Sequence, residues 1–503
     1  MPSRSPLPKI CIALGFANPG ELLQHARAEA DAGERFLEFR LDYLPQPESG
    51  TAIIRGFLKQ FPECSILATC RRHQNHGRFN GSIEEQIKIL EAAVAAGARA
   101  VDIEIESAES AYQRMEALRN GCHLIISYHN FEGTPPMEAV LRRMSKFPAY
   151  AYKLVTTPKK PSDSQRVLAL AKGRNRDPLV LLAMGEMGFP TRVLSPALGS
   201  LYTYAAPSSA EGTAVGQVNA RQLRTLYRID KFTKNAKVYG VIANPVRHSI
   251  SPAVHNRAFQ TRRIDAVYLP FLVPTVHLKD FMGLAEELPV AGFSVTIPHK
   301  QKIIRYLDII DPLARRIGAV NTVWKKAGKW RGTNTDASGV TEPLAKRIRI
   351  AKSKILIVGN GGAARGAAFA LVDAGADVSI VGRNPDRVRA LAKVCGAKAL
   401  TQDQMAGATF DALVHATPIG MHPNVNECFF PGAIPANLVF DMVYNPIETT
   451  LIRNAKQQGK QVILGIEMFL EQAAQQFHIW TGENAPKAVM ERAALEALGI
   501  TLP

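Results

Sequence analysis

At 503 residues, 46% of them hydrophobic and 7% aromatic, the chain exceeds a single core and suits two or three α/β domains. It has no apolar run long enough to span a bilayer, no secretory-type core in Met1–Lys9, and six cysteines without a Cys-x-x-Cys pair or a histidine at metal spacing, so no membrane partner and no metal are expected, and a cytoplasmic protein is. The formal charge of +17, from 61 basic and 44 acidic residues, is scattered without basic runs interleaved with aromatics, which favours anionic small substrates and a phosphorylated cofactor over nucleic acid.

Up to about Ala206 a strand-then-helix rhythm repeats. Apolar runs predict strands at Lys9–Gly15, Phe36–Asp42, Ser65–Arg71, Ala100–Ile105, His123–Asn130, Tyr150–Val155, Leu179–Gly185 and Ser200–Ala206. Amphipathic or Ala-rich stretches such as Gly20–Ala32, Ser82–Ala96 and Asp163–Lys172 lie between them. Eight βα units in that length describe a (β/α)8 TIM barrel, whose chemistry gathers at the C-terminal ends of its strands. The polar residues Glu38, Arg40, Asp42, Arg71, His129 and Lys153 fall there.

Lys153 stands alone in the apolar strand Tyr150-Ala-Tyr-Lys-Leu-Val155. Burial disfavours a charged amine, and a neutral amine can attack a ketone to form a Schiff base that acidifies the neighbouring carbon. His129 is the natural proton carrier by its pKa. Arg192, expected in the loop after strand seven, can hold a carboxylate bidentately. Any one of these residues is more commonly a rim ion pair or a packed side chain; the joint pattern carries the reading.

Glu38-Phe-Arg-Leu-Asp42, Ser127-Tyr-His-Asn-Phe-Glu-Gly-Thr-Pro135, Tyr152-Lys-Leu154 and Thr213-Ala-Val-Gly-Gln217 resemble type I 3-dehydroquinate dehydratase, in that family's order, over nearly all of residues 9–220. The resemblance implies Lys153 as the imine-forming lysine and His129 as the proton shuttle for loss of water. It implies that Glu38, Arg40, Arg71, Arg192, Thr213 and Gln217 line the substrate. One departure stands out: Asn75, followed by His76, takes the place of a glutamate that assists the histidine in relatives. An amide can hold the imidazole by a hydrogen bond, with His76 as a substitute partner, but it lacks the charge to stabilise imidazolium.

Arg221 to Lys237 reads as a final helix running into a linker, and a new α/β pattern starts at Val238. Its expected strands are Val238–Ala243, Ala266–Val273, Gly292–Ile297 and Ala319–Trp324. Ser249 and Ser251 sit at a helix start, where hydroxyls and free N–H groups bind carboxylates; Ser251-Pro252 also reads as a plain cap. Lys354-Ile-Leu-Ile-Val-Gly-Asn-Gly-Gly362 is a strand ending in a glycine turn; helix Ala363–Ala374 and strand Asp377–Val381 complete a βαβ unit, and the pattern continues through Asp411–Ala416 and Asn437–Tyr444. Gly359, Gly361, Gly362 and Ala363 form a pyrophosphate cradle in that context. After the next strand stands Gly382-Arg-Asn-Pro-Asp-Arg387 in place of the acid of an NAD site. Arg383 and Arg387, flanking Asn384, can neutralise a 2′-phosphate, so NADP is expected, unless Asp386 pairs with one of them.

Phe293-Ser-Val-Thr-Ile-Pro-His-Lys300, Gly318-Ala-Val-Asn-Thr322, Gly332-Thr-Asn-Thr-Asp336, Ala416-Thr-Pro-Ile-Gly-Met421, Asp441-Met-Val-Tyr-Asn-Pro446 and Gly465-Ile-Glu-Met-Phe-Leu-Glu-Gln-Ala473 resemble shikimate dehydrogenase, from about Val238 to Thr481. The resemblance implies Lys300 and Asp336 as the proton-transferring pair. It also implies Thr296, Asn321 and Thr335 as hydrogen-bonding partners of the substrate, Tyr444 and Gln472 beside it, and Thr417 and Met421 next to the nicotinamide. Gly465 joins the cofactor side. The expected organisation is a barrel over 1–222, a linker over 223–237, a substrate lobe from 238–345 with 467–503, and a Rossmann-like NADP-binding lobe over 346–466. The implied substrates are 3-dehydroquinate and 3-dehydroshikimate, handled in consecutive steps; the oligomeric state is left open. A quinate/shikimate oxidoreductase and an inactive metabolite-sensing regulator are the competing readings.

Overall fold

The computed structural model describes residues 6–172, 177–208, 212–213, 216–405 and 407–500. Residues 1–5 and the middle of the Thr213–Gln217 motif, at 214–215, lie outside that set. The chain divides into two compact units, 1–236 with 271–288, and 237–270 with 289–503.

The first unit is built on strands β1 (Ile10–Leu14), β2 (Phe36–Arg40), β3 (Ser65–Thr69), β4 (Ala100–Glu104), β5 (His123–His129), β6 (Ala151–Thr156), β7 (Leu179–Ala183) and β8 (Thr203–Ala205). All eight lie in one sheet of order β7-β6-β5-β4-β3-β2-β1-β8, and a parallel bridge from Leu179 to Ser200 joins its two ends. The expected barrel is therefore present. Alternate residues point inward, as the period-2 geometry of a strand requires. Cys11, Phe36, Leu67, Ala100, Ile125, Ala151 and Val180 make an apolar interior cluster. Two residues further along β4, β5 and β6, the same inward face carries Asp102, Ser127 and Lys153, all buried. The polar layer thus sits at the C-terminal mouth, on an apolar floor.

One expectation is corrected here. Arg192 is not in a loop: Gly185–Leu198 is a helix that accommodates Pro190 and Pro196. The expected final helix before the linker is short, Ala220–Thr225.

In the second unit, β9 (Lys237–Ala243), β10 (Ala266–Leu272), β11 (Val290–Val295), β12 (Ile309–Ile310), β13 (Thr322–Lys326) and β14 (Lys329–Thr333) form a mixed sheet of order β10-β9-β11-β13-β14-β12. β12 and β14 were not expected. The hairpin β13–β14 turns at Ala327 and Gly328, both with positive φ, and its exposed lysines hide the alternation that marks a strand. The other sheet contains β15 (Lys354–Val358), β16 (Asp377–Val381), β17 (Lys398–Ala399), β18 (Phe410–His415), β19 (Ala436–Asp441) and β20 (Gln461–Ile463). It is parallel throughout, in the order β17-β16-β15-β18-β19-β20. This is the Rossmann order, and its topological switch point lies between β15 and β18, where a dinucleotide crevice forms beyond the strand ends. The last helices, Gly465–Thr481 and Lys487–Ala497, pack on helices Asp336–Ala345 and Ser251–Thr261 respectively.

Candidate active sites

In the barrel, Lys153 is 4% exposed, and its Nζ donates to Asp102 Oδ2 at 2.8 Å and to Tyr204 Oη at 2.8 Å. Glu38 Oε1 lies 4.0 Å from the same amine and accepts a hydrogen bond from Thr69 Oγ1 at 2.7 Å. Asp102 Oδ1 accepts from Arg71 Nη2 at 2.9 Å and from Ser127 Oγ at 2.7 Å. Burial alone would raise the Asp102 carboxyl, but Lys153 and Arg71 hold it well below the usual carboxylate range. The buried lysine therefore rests on a fixed anion.

His129, the last residue of β5, receives Arg71 Nη1 on its Nε2 at 2.6 Å. A guanidinium only donates, so Nε2 accepts and the ring's proton is on Nδ1. Burial, together with the charges of Arg71 and Lys153, pushes its pKa well below the ordinary histidine value. His129 is thus a neutral base in wait of a proton. Asn75 does not hold it: Asn75 Nδ2 donates to Glu106 Oε2 at 3.0 Å. His76 packs tilted against Phe131, ring centroids 4.0 Å apart, and Phe131 in turn lies 6.1 Å from the His129 ring. The hydrogen bond expected from Asn75 or His76 comes from Arg71 instead.

Arg192 is 2% exposed, its Nε has no hydrogen-bond partner, and among the described residues no carboxylate pairs with it. Burial brings its pKa down to about 10. A buried guanidinium without an anion is costly, so the pocket is made for one that arrives with the ligand. Arg40 differs, being tied bidentately to Asp42 at 2.9 and 2.8 Å. Thr213 is brought to the end of β1, where its methyl would lie 2.9 Å from a Cβ on Gly15. Gln217 is its half-buried neighbour in the same loop.

Asp102, Ser127 and Tyr204 escaped the sequence reading. Asp102 carried a usable signal, an acid inside the apolar strand Ala-Val-Asp-Ile-Glu, which is the same oddity that marked Lys153.

In the second unit Lys300 Nζ donates to Asp336 Oδ2 at 2.6 Å. Asp336 opens helix Asp336–Ala345, whose N-terminal partial charge favours its carboxylate. Asn321 fixes the other oxygen, Nδ2 to Asp336 Oδ1 at 2.8 Å, and also donates to Thr335 Oγ1 at 3.0 Å. Thr322 Oγ1 in turn donates to Asn321 Oδ1 at 2.7 Å. Thr296 follows β11 and is half-buried. Ser249 and Ser251 meet at the start of helix Ser251–Thr261, where Ser251 N–H donates to Ser249 Oγ at 3.3 Å. The cap position belongs to Ile250, whose side chain makes no capping hydrogen bond. Tyr444 packs on Phe469 at 5.0 Å, and burial pushes its phenol up to about 12. Gln472 donates to Phe469 O at 2.9 Å.

Gly359 ends β15 with φ +126°, and a Cβ there would meet Ala416 O at 2.7 Å. Gly361 caps helix Gly362–Asp373 with no side-chain hydrogen bond, and space around it is open, so the first helical N–H groups, Ala363 among them, stay available for an anion. Arg383 and Arg387 are exposed after β16. Asp386 pairs with Arg389, leaving both of them without an ion pair among the described residues. Asn384 caps helix Pro385–Cys395 through the Arg387 N–H at 3.0 Å. The open helix start and the two unspent guanidiniums fit a dinucleotide with a 2′-phosphate. Met421 is exposed, and Gly465 is a close-packing point where a Cβ would lie 2.4 Å from Val443 O.

The type I 3-dehydroquinase family model matches residues 10–234. Those of the shikimate dehydrogenase substrate binding domain, shikimate / quinate 5-dehydrogenase and the shikimate 5′-dehydrogenase C-terminal domain match residues 241–323, 343–426 and 465–495. The chain is 32% identical over 482 residues to the chloroplastic bifunctional 3-dehydroquinate dehydratase/shikimate dehydrogenase of Arabidopsis thaliana, covering 91% of this chain and 79% of that one. It is 32% identical to the shikimate biosynthesis protein AroDE of Chlamydia pneumoniae, covering 76% and 78%. The shikimate dehydrogenase (NADP(+)) of Methanosarcina acetivorans is 38% identical over 52% of this chain and 99% of its own length.

Proposed function

The chain belongs to the bifunctional 3-dehydroquinate dehydratase/shikimate dehydrogenase family, and from that membership we propose how its residues divide two consecutive steps. It dehydrates 3-dehydroquinate to 3-dehydroshikimate and reduces that product to shikimate with NADPH. The observation that supports the division of roles is that each expected lysine meets a buried aspartate, Lys153 on Asp102 and Lys300 on Asp336.

In the barrel, Arg192 takes the substrate carboxylate, which supplies the negative charge that its pocket lacks. Glu38, Arg40, Arg71, Thr213 and Gln217 complete the lining. Lys153 loses a proton, attacks the ketone, and condensation releases water and leaves an imine. The iminium nitrogen draws electrons from the adjacent carbon, and His129, neutral in the free protein, removes its proton. The same histidine returns that proton to the departing hydroxyl, which leaves as water. Hydrolysis of the imine restores the amine.

In the second unit, bound NADPH supplies the hydride. Lys300, held by Asp336, gives the proton to the carbonyl oxygen as it becomes a hydroxyl. Asn321 orients Asp336, and Thr296, Thr335, Ser249, Ser251, Tyr444 and Gln472 bind the ring substituents. Gly359, Gly361, Gly362 and Ala363 cradle the pyrophosphate, Arg383 and Arg387 hold the 2′-phosphate beside Asn384, and Thr417, Met421 and Gly465 border the nicotinamide. We assign residues 1–222 to the dehydratase, 223–237 to a linker, 238–345 with 467–503 to the shikimate-binding lobe, and 346–466 to the NADP lobe. No described helix is long and apolar enough to cross a membrane, and six free cysteines suit a cytoplasmic setting.

The test supplies 3-dehydroquinate and NADPH together and follows nicotinamide absorbance and shikimate. Borohydride trapping with 3-dehydroquinate alone should label Lys153. Label that persists in Lys153→Ala removes the imine assignment.

A further inference from the structure

His415 is the last residue of β18, paired in register with Asp441 at the end of β19. Both are buried, at 1% and 0% exposure. Asp441 Oδ1 meets His415 Nδ1 at 2.8 Å and accepts the Val443 N–H at 3.1 Å, while Oδ2 accepts from Thr449 Oγ1 at 2.6 Å. An ionised carboxylate only accepts, so His415 Nδ1 carries a hydrogen. In the neutral ring Nε2 is then an acceptor, and it lies 2.6 Å from Thr417 Oγ1.

In that tautomer Thr417 spends its one hydroxyl hydrogen on His415. Of its two lone pairs, one receives the Ile419 N–H at 3.2 Å. The other remains, on a half-buried side chain. That side chain borders the switch point of the parallel sheet: its methyl would lie 3.1 Å from a Cβ on Gly359, the turn that ends β15. Gly362, three residues on, faces Lys300, whose side-chain carbons would lie 3.6 Å from a Cβ there. Thr417 thus borders the Gly359 end of the phosphate turn whose Gly362 end faces the proton donor.

We propose that Asp441 and His415 form a positioning relay that fixes the Thr417 hydroxyl as a hydrogen-bond acceptor for the amide N–H of the nicotinamide carboxamide. His415 touches no reactant; it sets the direction of a hydrogen bond made by its neighbour, and so selects cofactors that carry a carboxamide donor. The inference rests on the reading of this lobe as the NADP site.

Three ligands separate the possibilities, each titrated against the full-length protein: NADP+, its 3-acetylpyridine analogue, in which the amide nitrogen is replaced by a methyl, and 2′,5′-ADP, which lacks the nicotinamide. The wild type should bind NADP+ roughly 3- to 10-fold more tightly than the analogue, the worth of one hydrogen bond. Thr417→Val and His415→Leu should bring that ratio towards one with 2′,5′-ADP affinity unchanged, and Thr417→Ser should keep it. A wild type without preference, or a preference that survives either Thr417→Val or His415→Leu, overturns the proposal. Should His415→Leu lose 2′,5′-ADP binding through misfolding, the His415 ring nitrogens of the wild type, read by 15N NMR, decide: a protonated Nδ1 with bare Nε2 upholds the relay, and a protonated Nε2 overturns it. Loss of wild-type NADP+ and 2′,5′-ADP binding would instead remove the cofactor site itself.

Discussion

Among the described residues no carboxylate pairs with the buried Arg192, and that imbalance has two opposite consequences. Removing the charge takes away the anchor for the substrate carboxylate, so Arg192→Leu should raise the dehydratase KM by roughly 10- to 100-fold, the worth of charge-assisted hydrogen bonds. Yet it also relieves an unpaired buried charge, so the thermal midpoint of the ligand-free protein should not fall. Steady-state kinetics and a melting curve on the same sample check both; an unchanged KM would remove Arg192 from the binding site. His129 gives a second residue-scale prediction. Because its folded pKa is depressed, the base stays available as the pH drops through the ordinary histidine value, and the acid limb of dehydratase kcat/KM should lie below about pH 6.5. An acid limb above that value would contradict the environment formed by burial, Arg71 and Lys153. Lys153 was legible in the sequence because its charge clashes with an apolar strand, and His129 because its pKa suits proton transfer. Asp102 and Tyr204 were harder to single out, since an acid or a tyrosine alternating with apolar residues also describes an ordinary solvent-facing strand. Only barrel closure tells which side of the strand is inside.

At the scale of elements, the strands were read well because inward apolar residues recur every second position on sheets covered by helices. Helix Gly185–Leu198 was not, since Gly185, Gly188, Pro190 and Pro196 argue against a helix locally while packing of its buried face decides for one. The same override explains β12, only two isoleucines long, and β14, the largely polar run Lys329–Thr333, which become strands only by pairing. Packing between elements also creates a pH-sensitive joint. His255, on helix Ser251–Thr261, is fully buried, stacked on Tyr268 of β10 at 4.5 Å and beside Trp480 of helix Gly465–Thr481 at 5.1 Å. Burial brings its pKa down to about 3. The folded pKa lies below the unfolded value of about 6.5, so the unfolded chain binds the proton first on acidification. The contribution is complete above that unfolded value and fades as the pH falls towards the folded one, amounting to about 3 kcal/mol between pH 7 and pH 4. His255→Leu should flatten that part of the pH–stability curve, measured by denaturant unfolding; an equally steep curve in the variant would place the acid sensitivity elsewhere.

At the scale of the whole molecule, two complete constellations share one chain without sharing residues. The groups around Lys153 come from Glu38, Arg71, Asp102, Ser127, His129 and Tyr204, and those around Lys300 from Asn321, Thr335 and Asp336. The two sets have no residue in common, so disabling one lysine is expected to spare the activity of the other. Lys153→Ala should abolish dehydration and keep NADPH-dependent reduction of added 3-dehydroshikimate near the wild-type rate. Lys300→Met should do the reverse, accumulating 3-dehydroshikimate from 3-dehydroquinate. If neither set depends on the other, mixing the two variants should restore shikimate formation from 3-dehydroquinate, with a lag while the shared intermediate builds up in solution. That lag should shorten as the Lys300→Met component is increased, because that component alone supplies the intermediate. Failure of the mixture because Lys153→Ala cannot reduce added 3-dehydroshikimate, while Lys300→Met still dehydrates 3-dehydroquinate, would mean that the second step accepts the intermediate only from its own chain.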